Sequence, residues 1–124
     1  MTNKELKDRT QKFALDVIRF IETVPRTKAG DVLGKQLLRA ACSVGSNYRA
    51  ACRAQSHTHF ISKIGIVEEE ADECLFWLEL VQKSGMKNGD TVANLIKESN
   101  ELTAIFTSSR KTARNNKLKN KSQI

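Results

Sequence analysis

A chain of 124 residues, 40% hydrophobic and 28% charged, is long enough for one buried core and too short for two. One proline and six glycines leave few breaks, which favours long helices over many short strands. The formal charge of +7 points to anionic partners, and no apolar run approaches the roughly 20 residues that a bilayer-spanning helix needs.

The opening MTNKELKDRT carries no apolar signal core, so a soluble, cytoplasmic protein without membrane contact is expected. Thr2-Asn3-Lys4-Glu5 reads as a capping box, a hydroxyl for the free amides followed by a carboxylate reaching back. Leu6, Thr10, Phe13, Val17, Phe20 and Val24 then step by four and three, which predicts a first helix to about Val24. Pro25 stops it, because proline has no backbone donor and restricts the residue before it. A basic loop, Arg26 to Gly30, leads to Asp31 as the expected N-cap of a second helix.

That helix is rich in small residues, among them Ala40, Ala41, Gly45 and Ala51. Gly45 costs about 1 kcal/mol of helix propensity relative to alanine, so close packing inside the chain or against another subunit should repay it. After a short joint at Gln55-Ser56-His57, Phe60, Ile64, Val67, Ala71, Leu75 and Leu78 mark a third helix, which Ser84-Gly85 ends. Gly89-Asp90-Thr91 opens a fourth, with Leu95, Ser99, Leu102, Phe106, Ser109 and Ala113 on one stripe. The expected fold is all-α, an antiparallel up-down-up-down four-helix bundle over residues 1–114, with a basic, disordered tail over 115–124.

Cys42, Cys52 and Cys74 form no C-x-x-C pair and read as reduced, buried, apolar side chains. The run Glu68-Glu69-Glu70-Ala71-Asp72-Glu73 invites a two-metal carboxylate site, but that chemistry needs Glu-x-x-His pairs and the chain has none. His57 and His59 diverge by about 200° on a helix and lack partners for zinc. No metal, cofactor or enzyme chemistry is therefore expected. Arg39, Ser43 and Asn47 lie four apart beside the core stripe. A network from them to Glu70 and Glu73 would fix helix register. Leu75-Phe76-Trp77-Leu78 is apolar around more than one helix face, which makes Phe76 and Trp77, with Gly45, candidates for a subunit surface.

The charge is uneven. Residues from Arg110 onward carry +6 and no acid, whereas residues 1–109 carry +1. Arg110, Lys111, Arg114 and Lys117 are the chief candidate phosphate contacts, with Arg49 and Arg53 secondary. The alternative is a solvated tail that only maintains solubility. Few aromatics accompany these cations, so base stacking of the single-strand-binding kind is not expected.

The stretch Gln36 to Arg49, then Ser56 to Phe60, then Glu70-Ala71-Asp72-Glu73 through Trp77-Leu78-Glu79-Leu80 resembles the 23S rRNA-intervening-sequence protein family, also labelled S23 ribosomal proteins. The likeness rests on an R-x-x-x-S-x-x-x-N element and an E-x-x-E-x-x-x-W-L element, and covers roughly residues 10 to 108. Many members place a glutamate near Ala50 or Ala51, so no role of that acid carries over. The resemblance implies a ring-like homo-oligomer, a pentamer. It also implies similarity to the accessory variability protein of diversity-generating retroelements, which binds nucleic acid and a reverse transcriptase. The expected function is a non-enzymatic bundle binding RNA or DNA through basic surfaces. The alternative is a scaffold that docks another protein, such as a reverse transcriptase.

Overall fold

The structure, a computed structural model, describes residues 1–122, with side chains as far as Lys119. It consists of four helices: α1 (Asn3–Ile21), α2 (Lys28–Cys52), α3 (His57–Lys83) and α4 (Asp90–Ser122). Thr2 caps α1 by accepting the Glu5 amide at 3.1 Å, and Ser56 caps α3 by accepting the His59 amide at 3.0 Å. Gly85, at φ +77°, turns the chain out of α3, a backbone conformation that side chains with a Cβ resist.

Three boundaries differ from the sequence expectation. The helix α1 ends at Ile21 rather than near Val24, because the Thr23 and Val24 amides return to Phe20 and Ile21 in a tightened last turn. Val24 still packs in the core, 5% exposed, from outside the helix. Thr27, not Asp31, caps α2 by accepting the Gly30 amide at 3.0 Å, and Asp31 instead pairs with Arg26 in the first turn. Lastly, α4 runs to Ser122, past the Asn115 at which a disordered tail is expected. No glycine or proline follows Gly89, and cations in the last turns of a helix complement its dipole. Gln123 and Ile124, the end of that expected tail, lie outside the described residues, as does the Lys121 side chain.

One core cluster joins all four helices, with Phe13, Leu37, Val44, Ile64, Leu78, Leu102 and Phe106 among its fully enclosed members. The buried hydroxyls of Thr10 and Ser99 bond to carbonyls of their own helices, and no buried side-chain polar atom among the described residues lacks a partner. Cross-helix pairings fix direction. Asn3 meets Tyr48 and Thr10 faces Gly45 between α1 and α2, while His57 meets Ala113 and Glu68 meets Arg110 between α3 and α4. Sequence number rises on one helix as it falls on its neighbour. Helix starts of α1 and α3 therefore share one end of the bundle with helix ends of α2 and α4.

Two glycines of α2 make opposite demands. A Cβ at Gly30 would stand 2.0 Å from the Pro25 carbonyl oxygen, whereas a Cβ at Gly45 would meet Thr10 backbone at an ordinary 3.7 Å. Gly45 is thus a contact within the chain. Gly30→Ala is expected to lower unfolding free energy by about 1–3 kcal/mol through backbone displacement. Gly45→Ala is expected to raise it by up to about 1 kcal/mol. Urea melts of the two variants check both signs.

Candidate nucleic-acid interface

Convergence of the helix termini decides the charge map. Lys4 and Lys7 of α1, Arg49 of α2 and Arg53 just beyond it, Lys63 of α3, and Lys111, Arg114, Lys117 and Lys119 of α4 all belong to one end or its flank. No side-chain hydrogen bond or ion pair among the described residues engages Lys7, Arg49, Arg53, Lys63, Lys111 or Arg114. Lys117 donates to the Thr58 hydroxyl at 2.6 Å. Their charges face water and repel one another, an arrangement that a polyanion would relieve.

Arg110 belongs elsewhere. Its guanidinium Nε donates to Glu68 at 2.6 Å, its side chain is 23% exposed, and the same carboxylate accepts the Thr107 hydroxyl. This corrects its place among the chief phosphate contacts, because its charge is already answered inside the α3–α4 seam. The Arg110 hydrogen bond, with that of Thr107, holds the Glu68 carboxyl below the ordinary carboxylate range.

The expected register network is partly realised. Arg39 of α2 meets Glu70 at 3.2 Å and Glu73 of α3, and Trp77 Nε1 donates to the same Glu73 at 3.0 Å. Ser43 and Asn47 stay out of it, since the Asn47 amide donates to the Ser43 carbonyl of its own helix. A third bridge escaped the sequence analysis. Arg9 of α1 donates to Glu98 at 2.8 Å and to Glu101 at 2.7 Å, closing α1 onto α4. Nothing in the local spacing pairs residues so far apart in the chain. Each of three arginines thus spans one seam and takes up carboxylates of the neighbouring helix.

Between α1 and α2 lies a groove of about 450 Å³, lined by the small residues Ala14, Cys42 and Gly45 and by the cations Lys7, Arg49 and Arg53. Sequence analysis missed it, although the small residues of the second helix were its signal. It also exposes Cys42, against the expectation of three buried thiols; Cys52 is half-buried and Cys74 fully buried, where desolvation pushes its thiol up. Away from the basic end, Phe76 is 53% exposed and meets half-buried Trp77 edge to face, with ring centres 5.0 Å apart. The His57 Nε2 donates to the Ala113 carbonyl at 2.7 Å, a packing role. Among the described residues no group of three or more His, Cys, Asp or Glu is placed to hold a metal ion, and no helix is long and apolar enough to cross a membrane.

A family model described as 23S rRNA-intervening sequence protein matches residues 2–108. A crystal structure from Bacteroides thetaiotaomicron, described as a protein with unknown function from the S23 ribosomal protein family, is 30% identical with a TM-score of 0.81. That match covers 90% of this chain and 99% of the other. A comparison with curated proteins returns no match.

The Glu68 environment has a testable sign. A carboxyl whose folded pKa is depressed contributes stability that is present above its unfolded pKa, near 4.5, and lost as pH falls through the folded value. Glu68→Gln is expected to be less stable than the parent at pH 7, with the difference shrinking toward zero below pH 4. Thermal melts from pH 7 to pH 3 check this.

Proposed function

Since the chain belongs to the 23S rRNA-intervening sequence protein family, we propose that it is a non-enzymatic, homo-oligomeric bundle acting in the cytoplasm, where RNA or DNA binds at its basic end. The observation that carries this reading is the segregation of charge. Lys7, Arg49, Arg53 and Arg114 make no ion pair among the described residues near one end, and Lys111 acts on Glu68 only through space, while Glu68, Glu70, Glu73, Glu98 and Glu101 are taken up by arginines at the seams. Cations arranged this way bind phosphates by counterion release, with an affinity that falls steeply with salt and reads no sequence. The aromatics at this end, Tyr48 and Phe60, are buried and half-buried against the core, so the reading takes phosphates rather than bases as the contacts.

Assembly is a separate part of the proposal. Phe76, Leu80 and Ile66 leave α3 with exposed apolar surface, which favours a second copy of the chain there. A ring is the arrangement the family resemblance implies, with five subunits. The same face supports the second reading, a scaffold that docks another protein such as a reverse transcriptase.

The test is a salt series of duplex DNA and structured RNA binding. Truncation after Ser109 is unsuitable, because it removes Arg110 and Ala113, which pack against α3. Lys111→Gln/Arg114→Gln is expected to reduce the slope of log K against log salt by about 1.8 on duplex, near 0.9 per lost phosphate contact. Arg110→Gln is expected to lower the melting temperature and leave that slope unchanged. A parent protein that fails to bind at low salt contradicts the nucleic-acid reading and leaves the scaffold. Phe76→Glu is expected to reduce the sedimenting mass toward that of a single chain, and an unchanged mass removes Phe76 from the subunit surface.

A further inference from the structure

The groove between α1 and α2 is more than part of a basic end. Arg49, in the last turn of α2, and Arg53, the residue that caps its C-terminus, are four apart and line the same groove, which places their bases about 6 Å apart. This matches the interval between successive phosphates along one strand of nucleic acid. Lys7 stands on the opposite wall, on α1, and none of the three makes an ion pair among the described residues. The single carboxylate on the rim, Asp8, is turned to Lys4 at 3.0 Å and does not answer them. Small residues, Ala14, Cys42 and Gly45, line the same groove beside these longer cations.

We infer that this groove seats two successive backbone phosphates of one nucleic-acid strand, with Arg49 and Arg53 each facing one phosphate and Lys7 closing the other side. The inference rests on the proposed nucleic-acid reading and names where on the basic end the strand runs. A volume of about 450 Å³ admits one strand of backbone. A duplex would lie across the rim with one strand seated. No aromatic ring lines the groove, so binding there is indifferent to base identity. Arginine suits the role because its planar fork of donors matches phosphate oxygens.

The experiment combines a salt series with a chemical footprint. A 20-nucleotide single strand and a duplex of the same length are titrated against the full chain and against Arg49→Gln/Arg53→Gln, both exposed positions at which the fold is checked by a thermal melt. Separately, the rate of Cys42 alkylation by iodoacetamide is read by peptide mass mapping for the full chain alone, with saturating oligonucleotide, and with poly-glutamate. The expected result has two parts, and both are required. The salt slope becomes shallower by about 1.4 on the single strand and about 1.8 on duplex, and oligonucleotide slows Cys42 alkylation several-fold. If the parent binds but the double variant keeps its slope, or Cys42 reacts as fast as before, the groove inference falls and the basic end survives. If poly-glutamate protects Cys42 and the oligonucleotide does not, the groove takes acidic protein and the inference is overturned. If the parent binds neither nucleic acid at low salt, the inference falls together with the reading beneath it.

Discussion

Close packing of α2 on α3 is the constraint from which the other features follow. The contact faces of α2 carry Leu37, Ala40, Ala41, Val44 and Ala51, and those of α3 carry Ile64, Val67, Ala71, Cys74 and Leu78, all enclosed in one cluster. Small side chains on one helix let larger ones on the other enter, and the short connection from Cys52 to His57 forces the two helices to run in opposite directions. α1 then covers α2 through Thr10 and Gly45, and α4 covers α3 with Leu102 and Phe106, whose ring lies 5.4 Å from that of Tyr48. Once directions alternate, residues near 7, 50, 60 and 112 must be neighbours in space.

That geometric outcome converts a dispersed set of basic residues into a local field. Along the chain the cations are spread over four segments, and only the last looks unusual. In the fold, three arginines take up glutamates at the helix seams, and the cations near one end stay without ion pairs. Partly exposed ion pairs of this kind contribute little to stability on their own. Their effect is on position: Arg9, Arg39 and Arg110 fix which helix faces meet and hold Glu68 and Glu73 ionised. For Glu73, burial pushes the carboxyl up, but Arg39 and Trp77 outweigh it and the net shift is downward.

Helix count, order and buried faces were legible because apolar period is a local signal: Leu6 through Phe20, Ile64 through Leu78 and Leu95 through Ala113 each announce one face. The cap at Thr2 was legible from an equally local pattern. Thr27 was missed because Asp31 fits the cap rule equally well, and only the approach of Gly30 to Pro25 decides between them. The length of α4 was underestimated because amphipathic pattern was used as the criterion for a helix that its composition and dipole also support. Site residues were harder. Arg39 to Glu70 and Glu73 could be guessed from facing stripes, but Arg110 was read only as a candidate phosphate contact because its partner, Glu68, lies forty-two residues earlier. The α1–α2 groove has no sequence motif; it exists only where two helices place small residues opposite each other.

The most direct measurement of the central claim is hydrogen–deuterium exchange of the full chain with and without structured RNA at low salt, read by peptide mass spectrometry. Helix ends open readily, so a bound polyanion at one end leaves a local signature. Slowed exchange is expected in three segments only, about residues 3–12, 47–60 and 108–119, with the opposite end near residues 20–30 and 84–92 unchanged. Protection at that opposite end, or along the Phe76 face, would contradict it.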